Sequence, residues 1–85
     1  MTDQQLTATE NVVSAIWAEL LQRPTIELDD NFFQHGGDSM MMMIAQFRVA
    51  EELKVELPPG SIAVAPSLRQ FCALIDSSIA QSGSI

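Results

Sequence analysis

The sequence is poor in cations and has almost no thiol. Its single cysteine, Cys72, excludes an intramolecular disulfide and leaves too few thiols for a zinc site. Four basic residues stand against 11 acidic ones, for a formal net charge of −7. So few cations cannot form the phosphate-neutralising stripe that nucleic acid requires, nor a patch for an anionic membrane surface. The charge suits a protein that meets basic partner surfaces by electrostatic steering. Long apolar runs are also missing. Met40 to Ala45 is far too short to span a bilayer, and the polar start Met1-Thr2-Asp3-Gln4-Gln5 has no apolar signal core. A cytoplasmic location is expected. Strand-like alternation is absent too. What is there is an 85-residue chain that is 47% hydrophobic, enough for one small globular domain.

From Thr7 to Gln22 the apolar residues Val13, Ile16, Trp17, Leu20 and Leu21 recur at helical spacing. Thr7 and Glu10 have capping-box spacing, Arg23 suits the far end of the dipole, and Pro24 stops the helix. Residues 24–38, PTIELDDNFFQHGGD, then form a long connection, of a length that is often functional. Ile26, Leu28, Phe32 and Phe33 are expected to pin it across the helices. Asp29, Asp30 and Asn31 are turn formers, and Gly36-Gly37 supplies backbone freedom.

A second helix is predicted from Ser39 to Leu53, with Ser39 at or beside its N-cap. On a wheel of about 100° per residue it has two apolar faces. Met42, Ala45, Val49 and Leu53 form one; Met40, Met43, Ile44 and Phe47 form the other. So short a chain cannot bury both, so one is exposed. Pro58-Pro59-Gly60 and Pro66 break the next stretch, leaving room for one short turn between Ser61 and Ala65. Ser67, with Gln70, caps a last helix whose core stripe is Leu68, Phe71, Leu74, Ile75 and Ile79. Cys72 lies within that stripe as a buried structural thiol. Ala80 to Ile85 reads as a frayed tail. The expected fold is all-α, a bundle of three helices and a short fourth turn, ordered over residues 7–80.

Chemistry could reside in His35, Asp38 and Ser39, but the three stand too close in sequence for a triad and lack a Gly-x-Ser-x-Gly elbow. A calcium loop starting at Asp29 fails because Phe33 takes a ligand position and Gly36 falls two places late. His35 by itself reads as a solvated loop histidine. What remains is a serine presented at the start of a helix behind Gly-Gly-Asp. It is either a plain N-cap or a hydroxyl displayed for modification. A phosphodiester there would meet free amides and the positive end of the dipole, an interaction typically worth ~0.3–1 kcal/mol. Asp38 opposes it by like charge, which points to recognition or metal contact during transfer as the reason for that residue.

The string Asp30-Asn31-Phe32-Phe33-Gln34-His35-Gly36-Gly37-Asp38-Ser39 resembles the signature of peptidyl carrier (thiolation) domains of nonribosomal peptide synthesis, within the acyl carrier superfamily. The likeness extends over nearly the whole chain. Ile16-Trp17-Ala18-Glu19-Leu20-Leu21 is similar to the family's first helix, Leu28, Asp29 and Asp30 to its acidic loop, and Pro66-Ser67-Leu68 to its Pro-Thr-Val lead-in to the last helix.

The resemblance implies an acyl-carrier-like bundle in residues 1–85 that catalyses nothing itself. It implies that Ser39, with Gly37 and Asp38 beside it, receives 4′-phosphopantetheine from coenzyme A through a phosphopantetheinyl transferase. The arm's thiol would then hold an aminoacyl, peptidyl or acyl thioester, loaded by an adenylating ligase and used by condensation, tailoring or thioesterase enzymes. It places Met42, Ala45, Val49 and Leu53 in the core and leaves Met40, Ile44, Phe47 and Met43 as docking residues; methionine suits a surface that repacks against several partners. Asp38 and Met40 stand where many synthetase carriers have His and Leu, which leaves the cargo open. A carrier of polyketide or fatty-acid type and an unmodified helical adaptor are the alternatives. A monomer is expected. A freestanding carrier working in trans is suggested, though a domain cut from a longer protein would read the same.

Overall fold

The computed structural model describes residues 6–82. Four helices follow in chain order: α1 (Ala8–Leu21), α2 (Ser39–Leu53), α3 (Ser61–Val64) and α4 (Leu68–Ser82). Among the described residues there is no strand beyond one isolated antiparallel bridge, Asn31 to Ser67, and no helix long and apolar enough to cross a membrane.

Local chemistry sets the ends. Thr7 and Glu10 form the expected capping box, with reciprocal side-chain bonds of 3.1 and 3.0 Å to each other's amides. α1 ends when Gln22 turns left-handed, at φ 56°, and the Arg23 amide closes back on the Ala18 carbonyl at 3.0 Å. Arg23 therefore lies beyond the helix rather than in its last turn. Ser67 and Gln70 form the second box: Ser67 Oγ accepts the Gln70 amide at 3.1 Å and Gln70 Oε1 accepts the Ser67 amide at 3.4 Å. α4 runs on through Ser82, so the expected tail is helical to that point, and residues 83–85 lie outside the described residues, as do residues 1–5.

The core is one cluster. Trp17 sits at its centre, edge-on to Phe32 with centroids 4.9 Å apart and stacked on Phe71 at 5.8 Å. Val13, Ala45, Val49, Ile62, Leu68 and Ile75 close around it, all fully buried. Aromatic pairs of this kind contribute about 0.5–1.5 kcal/mol each beyond their buried area. Two residues depart from the expected core: Phe33 is 37% and Ile79 40% exposed. Phe33 packs edge-on to Phe32, which lies in the interior, and Ile79 lies about one turn beyond Asp76, which bonds Thr9 at the very start of α1.

Polar links fix the helices' relative positions. Thr9 Oγ1 donates to Asp76 Oδ1 at 2.8 Å between α1 and α4, and Arg48 pairs with Glu19 at 2.8 Å between α2 and α1. The Gln46 side chain, almost fully buried on α2, accepts the Ile62 amide at 3.1 Å and donates to the Pro58 carbonyl at 3.2 Å. One side chain thus ties α3 and the loop before it to α2, which the sequence reading missed: a lone glutamine on a helix gives no sign that it is turned inward.

Candidate functional site

The long α1–α2 loop is held at three levels. At its base, Asp30 Oδ2 accepts the Glu27 amide at 2.8 Å and Asn31 Oδ1 accepts the amides of Phe33 and Gln34, so the expected turn formers close the turns. Next, the loop is sewn to the start of α4. Phe32 donates to Pro66 at 2.8 Å, Leu68 to Asp30 at 3.1 Å and Arg69 to Leu28 at 2.8 Å, all backbone to backbone. Below, Ile26 and Phe32 are buried. What reads in sequence as irregular is therefore rigid at its middle.

The two glycines serve different needs. Gly36 has φ 103°, a left-handed backbone that side chains rarely tolerate. Gly37 has no such angle; a Cβ there would run into the Phe32 ring and carbonyl, and its amide donates to that carbonyl at 3.0 Å. Gly37 is required by close approach.

Asp38 is the N-cap of α2. Its backbone is extended, and Oδ1 accepts the Met41 amide at 2.9 Å. Asp38 thus has a structural role that the sequence reading did not assign, and the plain N-cap reading of Ser39 is corrected. Ser39 is the first residue of the helix and is exposed. Among the described residues its hydroxyl makes no hydrogen bond, and neither its amide nor that of Met40 has a protein acceptor. A free hydroxyl, two free amides and the positive end of a 15-residue helix fit a phosphodiester.

His35 is not the solvated loop histidine of the sequence reading. It is half-buried, with Nε2 3.2 Å from Asp30 Oδ1. The Glu27 amide first, and then His35, hold the Asp30 carboxyl below its ordinary value. His35 and Asp30 face each other, so the hydrolase arrangement of His35 with Ser39 finds no support. Among the described residues no group of His, Cys, Asp and Glu could hold a metal.

Below Ser39 the two faces of α2 separate as the wheel predicts. Ala45 and Val49 are fully buried, with Met42 and Leu53 packed on the core. Met40, Met43, Ile44 and Phe47 are 71, 67, 42 and 65% exposed. Val64 of α3, also exposed and absent from the sequence reading, belongs to the same kind of surface. An apolar groove of about 460 Å³ runs beside α2, lined by Met43, Phe47, Leu57 and Pro59 among others. Cys72 is buried, and desolvation pushes its thiol up to about 12.

A small bundle that carries a free hydroxyl at the head of its second helix is built as a carrier. The chain matches the family of the phosphopantetheine attachment site over residues 11–75, and it belongs to that family. It is 30% identical over 81 residues to the dapdiamide synthesis protein DdaD of Enterobacter agglomerans, a match covering 95% of this chain and 14% of that protein. To phosphinothricin tripeptide synthetase PhsB of Streptomyces viridochromogenes it is 44% identical over 55 residues, or 65% of this chain and 5% of that one. The chain thus spans a small part of the curated relatives it matches. Among solved structures it is similar to a chain in the complex of the phosphopantetheine transferase Sfp with coenzyme A and a peptidyl carrier protein. There the TM-score is 0.79 at 29% identity, covering 86% of this chain and 95% of that one. The fold is acyl-carrier-like, the group is 4′-phosphopantetheine, and the chain is homologous to carrier domains of nonribosomal peptide synthetases.

Proposed function

We propose that Ser39 Oγ is the attachment point of 4′-phosphopantetheine and that the whole chain, residues 1–85, is a single carrier domain working in the cytoplasm. The observation that carries this is the exposed, unbonded hydroxyl of Ser39 at the first position of α2, beside amides that have no protein acceptor. Gly36 lets the chain turn and Gly37 lets it pack against Phe32 just before it, and Asp38 caps the helix so that Ser39 is held at its mouth. The free amides and the helix dipole stabilise the diester's negative charge. When bound, the group supplies a thiol that holds aminoacyl, peptidyl or acyl groups as thioesters.

The domain itself catalyses nothing and acts as a monomer. A phosphopantetheinyl transferase installs the arm, in keeping with the complex of Sfp and a peptidyl carrier. An adenylating ligase loads it, and condensation, tailoring or thioesterase enzymes follow. Met40, Ile44, Phe47 and Met43 form the docking surface next to Ser39; an exposed face rich in unbranched methionine repacks against successive partners, and weak docking lets the carrier move on. The test is loading: the arm-bearing protein, given candidate adenylating enzymes, ATP and radiolabelled amino acids, acquires label that hydroxylamine releases as from a thioester. Label that resists hydroxylamine, or label equally taken up without the arm, contradicts the carrier role.

A further inference from the structure

The stretch between the buried Phe32 and Ser39 is held mainly through its backbone: Asn31 Oδ1 accepts the amides of Phe33 and Gln34, and the Gly37 amide donates to the Phe32 carbonyl. Phe33 and Gln34 are exposed, and Gly36 and Gly37 have no side chains. Among the described residues, His35 is the side chain in this stretch that meets a carboxylate at the base of the loop. Its partner is well chosen. The Asp30 carboxylate already accepts the Glu27 amide through Oδ2 at 2.8 Å, and His35 Nε2 meets its other oxygen, Oδ1, at 3.2 Å. The main chain of Asp30 is fixed in turn: its amide donates to Glu27 at 3.1 Å and its carbonyl accepts from Leu68 at 3.1 Å. An ionised carboxylate only accepts, so the attraction requires a proton on Nε2. The side chains are 24 and 23% exposed, so water competes only in part.

We infer that His35 and Asp30 form a clasp that positions Ser39 for transfer of the arm. The inference rests on the reading of Ser39 as the attachment point. The clasp joins the first turn of the loop to its last, directly before the two glycines. Without it the turn at His35 and Gly36 loosens ahead of the Gly37–Phe32 contact. The hydroxyl then samples orientations away from the line of attack on the phosphoryl group of coenzyme A, from which adenosine 3′,5′-bisphosphate must leave. Orientation of this kind acts on the chemical step more than on binding. His35 touches neither cofactor nor reacting atoms in this scheme; it is a positioning residue.

The test compares wild type with His35→Leu, which keeps bulk without a donor, and His35→Gln, which keeps a donor at the Nε2 position. Transfer from coenzyme A by a phosphopantetheinyl transferase is followed by mass, and amide exchange of Gly36 and Gly37 is measured on the unmodified proteins. Loss of the His35–Asp30 contact predicts a roughly fivefold lower kcat for His35→Leu with KM for the carrier little changed. Faster exchange at both glycines should accompany it, and His35→Gln should be close to wild type in both readouts. Wild-type transfer and exchange in His35→Leu, or equal losses in Leu and Gln variants, would overturn the clasp. Should wild type itself take no arm, the Ser39 reading fails separately, and the exchange rates alone decide whether the clasp holds the loop.

Discussion

The backbone of Gly37 is pressed against Phe32, with the glycine amide donating to the phenylalanine carbonyl at 3.0 Å and no room for a Cβ beside the ring. Phe32 in turn lies edge-on to Trp17 at the centre of the core. The segment that presents Ser39 is thereby braced on the hydrophobic interior. Gly37→Ala forces the ring or the loop to move and is expected to cost ~1–3 kcal/mol, the range for overpacking. At Gly36 a methyl meets open space but inherits φ 103°, so Gly36→Ala should cost only about 1 kcal/mol through backbone strain. Thermal unfolding of both variants checks the order; a larger loss at Gly36 would contradict the close-approach account.

Asp38 predicts a separable effect. Removing its cap in Asp38→Ala should lower stability by ~1 kcal/mol, whereas Asp38→Asn, which can still accept the Met41 amide, should be near wild type. Denaturant unfolding measures this. An alanine variant as stable as wild type would mean that the amide of Met41 finds water as good a partner.

Much of this architecture is legible in the sequence, and the parts that are not share a cause. Helical periodicity places α1, α2 and α4, and the Thr7–Glu10 and Ser67–Gln70 boxes mark their starts because caps are local. The split of α2 into a core face with Val49 and an exposed face with Phe47 follows from counting angles on one helix. Illegible features depend on distant partners. The Asn31–Ser67 bridge joins segments far apart in the chain, and Gln46 is polar yet turned inward to bonds on another helix. His35 looks like any loop histidine until Asp30 is seen beside it. Between Asp38 and Ser39, both good capping residues, the choice is settled by backbone angles that composition does not carry.

The exposed face of α2 should be functionally rather than structurally sensitive. Met40→Ala and Phe47→Ala are expected to change stability by no more than about 0.5 kcal/mol, as surface substitutions do. Both should nonetheless slow loading by the adenylating partner. Phe71→Ala, in the buried stack with Trp17, is the control and should cost ~3–5 kcal/mol. If Phe47→Ala destabilised the fold as much as Phe71→Ala while loading stayed normal, Phe47 would belong to the core.

Cys72 should be chemically silent. Burial raises its thiol to about 12, well above the ordinary value of 9.0, so the native chain keeps it protonated at pH 8 and 9. The group is neutral when folded and ionises more readily when unfolded; its contribution to stability is complete below pH 9.0 and declines as pH rises toward 12. Alkylation with iodoacetamide at pH 8 should therefore leave the unmodified protein untouched until it is denatured. The arm-bearing protein should react quickly at one thiol only, that of the arm. Rapid labelling of Cys72 in the native, unmodified chain would contradict its burial.

The most direct measurement is the intact mass of the protein after incubation with coenzyme A and a broad-specificity phosphopantetheinyl transferase. Wild type should gain one phosphopantetheine, fragmentation should place it on Ser39, and Ser39→Ala should gain nothing while unfolding at the wild-type temperature. No gain in wild type, or a gain that survives in Ser39→Ala, would contradict the account.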